Sequence, residues 1–417
     1  MRKSISVVAL VSLFAAGSAM ASGYRIPEQS LDSTAKAGAN IASASSADTA
    51  YFNPAGMGFL EDRLYVEGTA TYLHLTSIDY DDNRTAYFDG SSQDENFLLP
   101  TFFMVSPDIN NFRFGLSLTE PYGLAKRWKD DPFARANAEK FSLKVFELNP
   151  TVSYTWNNMV SIAGGVRLLY ADATVMRNSL ELAAANNSTM GNTLHVSGDT
   201  TELGYNLAID VKPNDDLNFA LTYRSNVNLG FEDGDVDFSL PNFVHPLYGP
   251  MPIYASLKGD VTVPAPAVLA FSTAYSFGQW TLDLTIDRTF WSEYEDLDFD
   301  FDLPVAGNPA PIPKDWHDTT CVRLGAEYRL DEKFTLMGGI AYDENPVPER
   351  NLGFELPDSD AWLFSAGVRY KQNEDLEYGV AVLYDYKEER DVSNATIDGD
   401  FSNASALLVS FGLSYKF

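Results

Sequence analysis

Phe112-Arg113-Phe114-Gly115-Leu116-Ser117-Leu118-Thr119 sets an apolar side chain against a polar or small one at every step. Successive side chains of a strand point to opposite faces of a sheet, so this stretch has one apolar face and one mixed face. The pattern recurs along the chain. Val160, Ile162, Val166, Leu168 and Tyr170 alternate with Ser161, Ala163, Gly165 and Arg167, and Leu217, Phe219, Leu221 and Tyr223 with Asn218, Ala220, Thr222 and Arg224. Trp362, Phe364, Val368 and Tyr370 face away from Ser365, Gly367 and Arg369. The strand charges Glu67, Asp210, Asp283, Arg323, Glu327 and Arg329 all fall opposite the apolar face. Lipid demands this, because a Lys or Arg at the bilayer midplane costs roughly 2–4 kcal/mol. The second face also carries many Gly, Ala, Ser and Leu residues, which suits a packed lumen better than a wet surface.

Fourteen such segments can be counted, near 64–75, 97–105, 111–120, 139–156, 159–177, 201–211, 217–230, 257–276, 280–291, 318–329, 333–343, 361–370, 375–387 and 405–417. Their connections alternate in length. Six are short, such as Asn157-Asn158 and Phe277–Gln279; seven are long and polar, at 80–96, 121–138, 178–200, 231–256, 292–317, 344–360 and 388–404. Even strand number with short turns at one end and long loops at the other is the outer-membrane pattern, which a soluble sandwich has no reason to follow. The predicted fold is an all-β transmembrane antiparallel barrel of about 14 strands. Phe411, Leu413, Tyr415 and Phe417 alternate to the end of the chain and resemble the signal read by the barrel assembly machinery.

The flanks agree. Arg2 and Lys3, the largely apolar run Ser4–Ala16 and Ala19-Met20-Ala21 read as a signal peptide over 1–21. Its removal would take the net charge from −29 to −31. That acidity argues against a nucleic-acid partner, since a phosphate backbone is held by basic patches. A single cysteine, Cys321, excludes an internal disulfide framework; its alternation with Val322 turns it to the lumen.

Residues 22–60 show little alternation and are rich in Ala, Ser and Gly. They precede the first strand, where a plug can fold back into a lumen too wide for side chains alone to fill. The division expected is therefore a leader (1–21), a hatch (22–60) and a barrel (61–417). Within the hatch, Asn53-Pro54-Ala55-Gly56 has turn chemistry: Asn before Pro initiates a turn and Gly permits a tight bend. This motif resembles the hatch of FadL-type outer-membrane transporters. Three further segments share the resemblance in order along the chain: Leu118-Thr119-Glu120-Pro121-Tyr122-Gly123-Leu124-Ala125, Ala220-Leu221-Thr222-Tyr223-Arg224-Ser225, and Gly339-Ile340-Ala341-Tyr342-Asp343-Glu344-Asn345-Pro346, the last continuing into Leu356-Pro357-Asp358-Ser359-Asp360.

The resemblance implies a passive channel for hydrophobic molecules, long-chain fatty acids first, with aromatic hydrocarbons as the alternative. It implies an external binding pocket, a hatch that rearranges, and a sideways opening where the third strand kinks. The kink would fall at Glu120, Pro121, Tyr122 and Gly123, and proline independently marks a strand break there, since it cannot donate to the ladder. Glu120 and Pro121 stand where some relatives carry small or amide residues, which bears on the polarity of the opening. Ligand-binding candidates are Tyr24, Tyr51 and Phe52 of the hatch. Arg177 and Lys314 join them by similarity to the relatives' carboxylate-binding cations.

Other chemistry finds little support. His74, His195, His245 and His317 form no ligand-spaced pair, and Asp298, Asp300 and Asp302 lack the Gly and terminal Glu of a calcium loop. No nucleophile motif is present, so neither catalysis nor a cofactor or metal is expected. A general porin would need a charged constriction and no plug. The expected setting is the outer membrane of a Gram-negative bacterium, as a monomer among lipids and lipopolysaccharide.

Overall fold

The computed structural model describes residues 23–245, 247–302 and 310–417. The expected leader, residues 1–21, lies outside them. Fourteen antiparallel strands form the wall: β1 (Tyr65–Leu75), β2 (Glu95–Val105), β3 (Phe112–Arg127), β4 (Lys140–Trp156), β5 (Val160–Asn178), β6 (Thr193–Asn214), β7 (Leu217–Arg224 and Val227–Leu240), β8 (Ile253–Ala265 and Val268–Phe277), β9 (Trp280–Thr289), β10 (Thr319–Arg329), β11 (Phe334–Asp343), β12 (Ala361–Lys371), β13 (Leu376–Lys387) and β14 (Ser405–Lys416). β1 pairs with β2 on one side and β14 on the other, Tyr65 opposite both Val105 and Lys416, so the sheet closes on itself. Among the described residues no helix is long and apolar enough to cross a membrane.

The turns carry the local chemistry that closure needs. Asn157 and Asn158 both have positive φ (52° and 51°), the backbone of a two-residue hairpin whose twist matches its strands. Gly278 in the β8–β9 turn also has positive φ (60°), with open space around it.

The faces sort as the alternation predicts. Phe114, Ile162, Val166 and Leu324 are about half exposed, whereas Arg113, Ser161, Arg167, Arg323 and Asp385 are buried in the lumen. Cys321 is buried beside an outward Val322.

The clearest departures from the expected boundaries are in β3, β6, β7 and β8. β3 does not stop at residue 120; it runs on to Arg127, with a register shift against β4 between Thr119 and Tyr122. β6 begins at Thr193 and β7 reaches Leu240, so residues expected in loops extend the wall outward. β7 and β8 are broken at Ser225-Asn226 and Pro266-Ala267. Alternation cannot locate such limits, because an extended hairpin outside the bilayer keeps the period while its composition turns polar. The breaks leave few backbone groups stranded: Ser225 N–H donates to Tyr205 O (2.9 Å) and Phe290 N–H to Ala267 O (2.9 Å).

A closed ladder offers no edge from which to unzip. Unboiled protein should therefore migrate on a denaturing gel as a compact species and shift only on boiling. A single position under both conditions would contradict closure.

Candidate functional site

Residues 23–60 fold inside the wall as short helical turns, Leu31–Ala35, Thr49–Phe52 and Pro54–Phe59, joined by irregular chain. Small residues make this possible. A Cβ on Gly339 of β11 would overlap the backbone of Lys36 and Ala37, and one on Gly367 of β12 would come within 2.5 Å of the Ala35 Cβ. Charge then ties the segment to the wall. Lys36 Nζ meets Glu327 at 2.5 Å, Arg25 meets Asp287 at 2.5 Å, and Arg323 reaches Asp287 (3.0 Å) and Glu28 (3.4 Å). Arg369 bridges Asp32 of the segment (2.5 Å) and Glu67 of β1 (3.2 Å). Removing one partner of such a buried pair leaves an uncompensated charge, at a cost of about 3–5 kcal/mol.

Asn53 organises the turn that follows it. Its Oδ1 accepts from Gly56 N–H (3.2 Å), and its Nδ2 donates to Ile41 O (3.2 Å) and to Asp210 of β6. Pro54 opens the next turn, where its missing N–H has no consequence. Asn53, Pro54, Ala55 and Gly56 are thus buried together against the wall.

At the third strand, Glu120, Pro121, Tyr122 and Gly123 stand together. Here the alternation fails: every residue from Thr119 to Lys126 is buried. β3 pairs with β2 from Gly115 to Leu118, then parts from it until Arg127, which pairs with Glu95 of β2 and whose carbonyl accepts from Gln93 N–H (2.8 Å). The N-terminal segment takes the vacated place. Ile26 N–H donates to Pro121 O (2.9 Å), Gly123 N–H to Tyr24 O (2.9 Å), and Arg25 forms an antiparallel bridge with Tyr122. Gln29, which the sequence reading passed over, clamps Glu120 from both sides, accepting from its N–H (2.8 Å) and donating to its carbonyl (2.9 Å).

Gly23 N–H is held by Asp358 Oδ2 (3.0 Å), and Lys387 pairs with the same carboxylate. Tyr24 is buried, with Trp291 and Trp316 at centroid distances of 4.6 and 5.7 Å, and its hydroxyl donates to Pro264 O.

Two cavities flank this junction. The outer one is walled by apolar side chains including Phe141, Leu143, Val196, Phe231, Val263 and Phe299. The inner one is lined by Tyr51, Phe52, Pro121, Tyr122, Arg224 and Arg323 among others. Tyr51 and Phe52 therefore share a cavity with the kink, while Tyr24 packs in the aromatic cluster beside it. Arg177 and Lys314 come together at Glu355. Lys314 pairs directly with that carboxylate, and although burial pushes the Glu355 carboxyl up, Lys314 and then Arg177 bring it below its ordinary range. The alternation had placed Arg224 on the lumenal face, but nothing in it singled that residue out.

A family model described as outer membrane protein transport protein (OMPP1/FadL/TodX) matches residues 12–417. The long-chain fatty acid transport protein of Escherichia coli O6:H1 is 30% identical over 69% of each chain. Outer membrane protein P1 of Haemophilus influenzae is 26% identical over 99% of each. Among solved structures, a Pseudomonas aeruginosa FadL homologue superposes with a TM-score of 0.82 at 21% identity, covering 95% of this chain and 100% of that one. The Pseudomonas putida toluene transporter TodX gives 0.72 at 18%, covering 93% and 98%.

Asn53→Ala removes three hydrogen bonds, including the cap on Gly56, and typical cap losses are about 1 kcal/mol. The barrel should remain heat-modifiable while amide exchange over residues 41–58 quickens. Exchange as slow as in the wild type would mean that Asn53 does not hold the segment.

Proposed function

The chain belongs to the OMPP1/FadL/TodX family of outer membrane transport proteins, and from that premise we propose how its parts move a ligand. Proteins of this kind carry hydrophobic molecules passively across the outer membrane. In our reading residues 22–60 act as the hatch and 61–417 as the barrel, working as a single copy. The external loops capture the ligand, and the outer apolar cavity holds it. The hatch then shifts, and the ligand leaves sideways where β3 parts from β2.

One observation carries this reading: residues 24–26 pair with the backbone at Pro121 and Gly123 that β2 leaves free. The wall at that point is completed by a segment that does not belong to the barrel. Withdrawal of that segment opens a gap without breaking any strand-to-strand ladder. The segment also occupies the lumen, which counts against a general porin.

The ligand has two readings. Long-chain fatty acids match Arg177 and Lys314, both near Glu355, whose cations can receive a carboxylate once Glu355 yields them. Uncharged aromatic hydrocarbons match the outer cavity, whose walls carry no ionised side chain. Uptake of labelled toluene and labelled hexadecanoate by cells expressing the protein separates them: saturable uptake of toluene alone would remove the fatty-acid reading.

Gly123→Arg tests the exit. Gly123 is buried at the parting of β3 from β2, and a cation placed in an apolar passage is unfavourable unless paired. Insertion and heat-modifiable migration should stay near normal, while uptake of either ligand falls about tenfold or more. Wild-type uptake by this variant would rule out the lateral route.

A further inference from the structure

Arg224 is the last residue before β7 breaks, and alternation with Tyr223 turns it into the lumen. Its Nη2 donates to Glu147 of β4, and Arg167 Nε donates to the same carboxylate at 2.9 Å. Two guanidinium groups thus share one carboxylate, and the cluster keeps a surplus positive charge. Tyr51 lies over Arg224, its ring centroid 4.3 Å from Cζ. Beneath it Arg224 Nη1 is covered and has no hydrogen-bond partner among the described residues. A guanidinium presents five donors in a rigid fork, and leaving one buried and unpaired is unfavourable. Arg224 lines the inner cavity together with Pro121 and Tyr122 of β3, and Arg167 Nη2 of the same cluster likewise has no hydrogen-bond partner among the described residues.

We infer that Arg224 forms an anion subsite at the inner end of the ligand path. Its Nη1 receives the carboxylate of a long-chain amphiphile when Tyr51 moves away with the hatch. This rests on the transport reading above and gives it a substrate class. The carboxylate completes the arginine fork through a charge-assisted hydrogen bond, while the acyl chain lies along Thr222, Val268 and Ala270 toward Pro121. A ligand with the same chain and no charge leaves Nη1 without a partner, so the subsite favours acids over alcohols.

The test measures binding of hexadecanoate and hexadecan-1-ol to the purified full-length protein in detergent, in wild type, Arg224→Gln and Arg224→Lys. In Arg224→Gln, hexadecanoate affinity should fall about tenfold with hexadecanol affinity unchanged. Arg224→Lys keeps a cation against Glu147, so it preserves the fold if Arg224→Gln does not. It lacks the fork and should show the same selective loss by a smaller factor. Equal loss for both ligands would assign Arg224 a structural role only, and no loss in a folded variant would remove the subsite; either result overturns the inference. A wild-type protein that binds neither ligand would instead defeat the transport reading itself.

Discussion

Inside a bilayer no water is at hand to satisfy a backbone N–H or C=O, so every such group must find a protein partner. The rest of this structure follows from that requirement. It makes the sheet close, Tyr65 meeting Lys416 across the seam between β1 and β14. It also makes any departure from the ladder informative. β3 departs from β2 beyond Leu118, and the freed groups at Pro121 and Gly123 are met by Tyr24 and Ile26. A barrel with a fixed hole would need those groups satisfied by other means. Here they are satisfied by a segment tethered at one end to β1 and free of the strand order.

The same dry surroundings govern the lumenal charges. Arg323, Arg369 and Arg167 are buried and each bonded to carboxylates, because an unpaired charge there would be far costlier than a paired one. Their partners lie on both sides of the boundary between wall and N-terminal segment, except around Glu147, where both cations come from the wall. These pairs place the segment in one orientation, which apolar contact alone would leave loose. They also remain local, so the interior is a series of latches and small cavities.

Above the latches the character changes. Tyr24, Trp291, Trp316 and Tyr294 stack edge to face, and the adjoining cavity is mainly apolar. Strands β6 and β7 run beyond their expected ends, and Val196 and Phe231 from those extensions line the outer cavity.

Much of this was legible in the sequence for a plain reason. Period-two alternation is a local property, and lipid outside with packed side chains inside forces it on every strand, so strand number, facing and closure could be read without coordinates. The short turns were equally readable, since Asn157-Asn158 and Gly278 announce the backbone that they adopt. Proline at 121 marked the register shift in β3, and the chemistry of Asn53-Pro54 marked a turn. What no local pattern contains is which distant groups meet. That Gln29 clamps Glu120, that Asp358 holds Gly23, that Arg177 and Lys314 converge on Glu355, and that Tyr51 covers Arg224 all depend on residues tens to hundreds of positions apart. Only the closed barrel, by wrapping its strands around the N-terminal segment, brings them near one another.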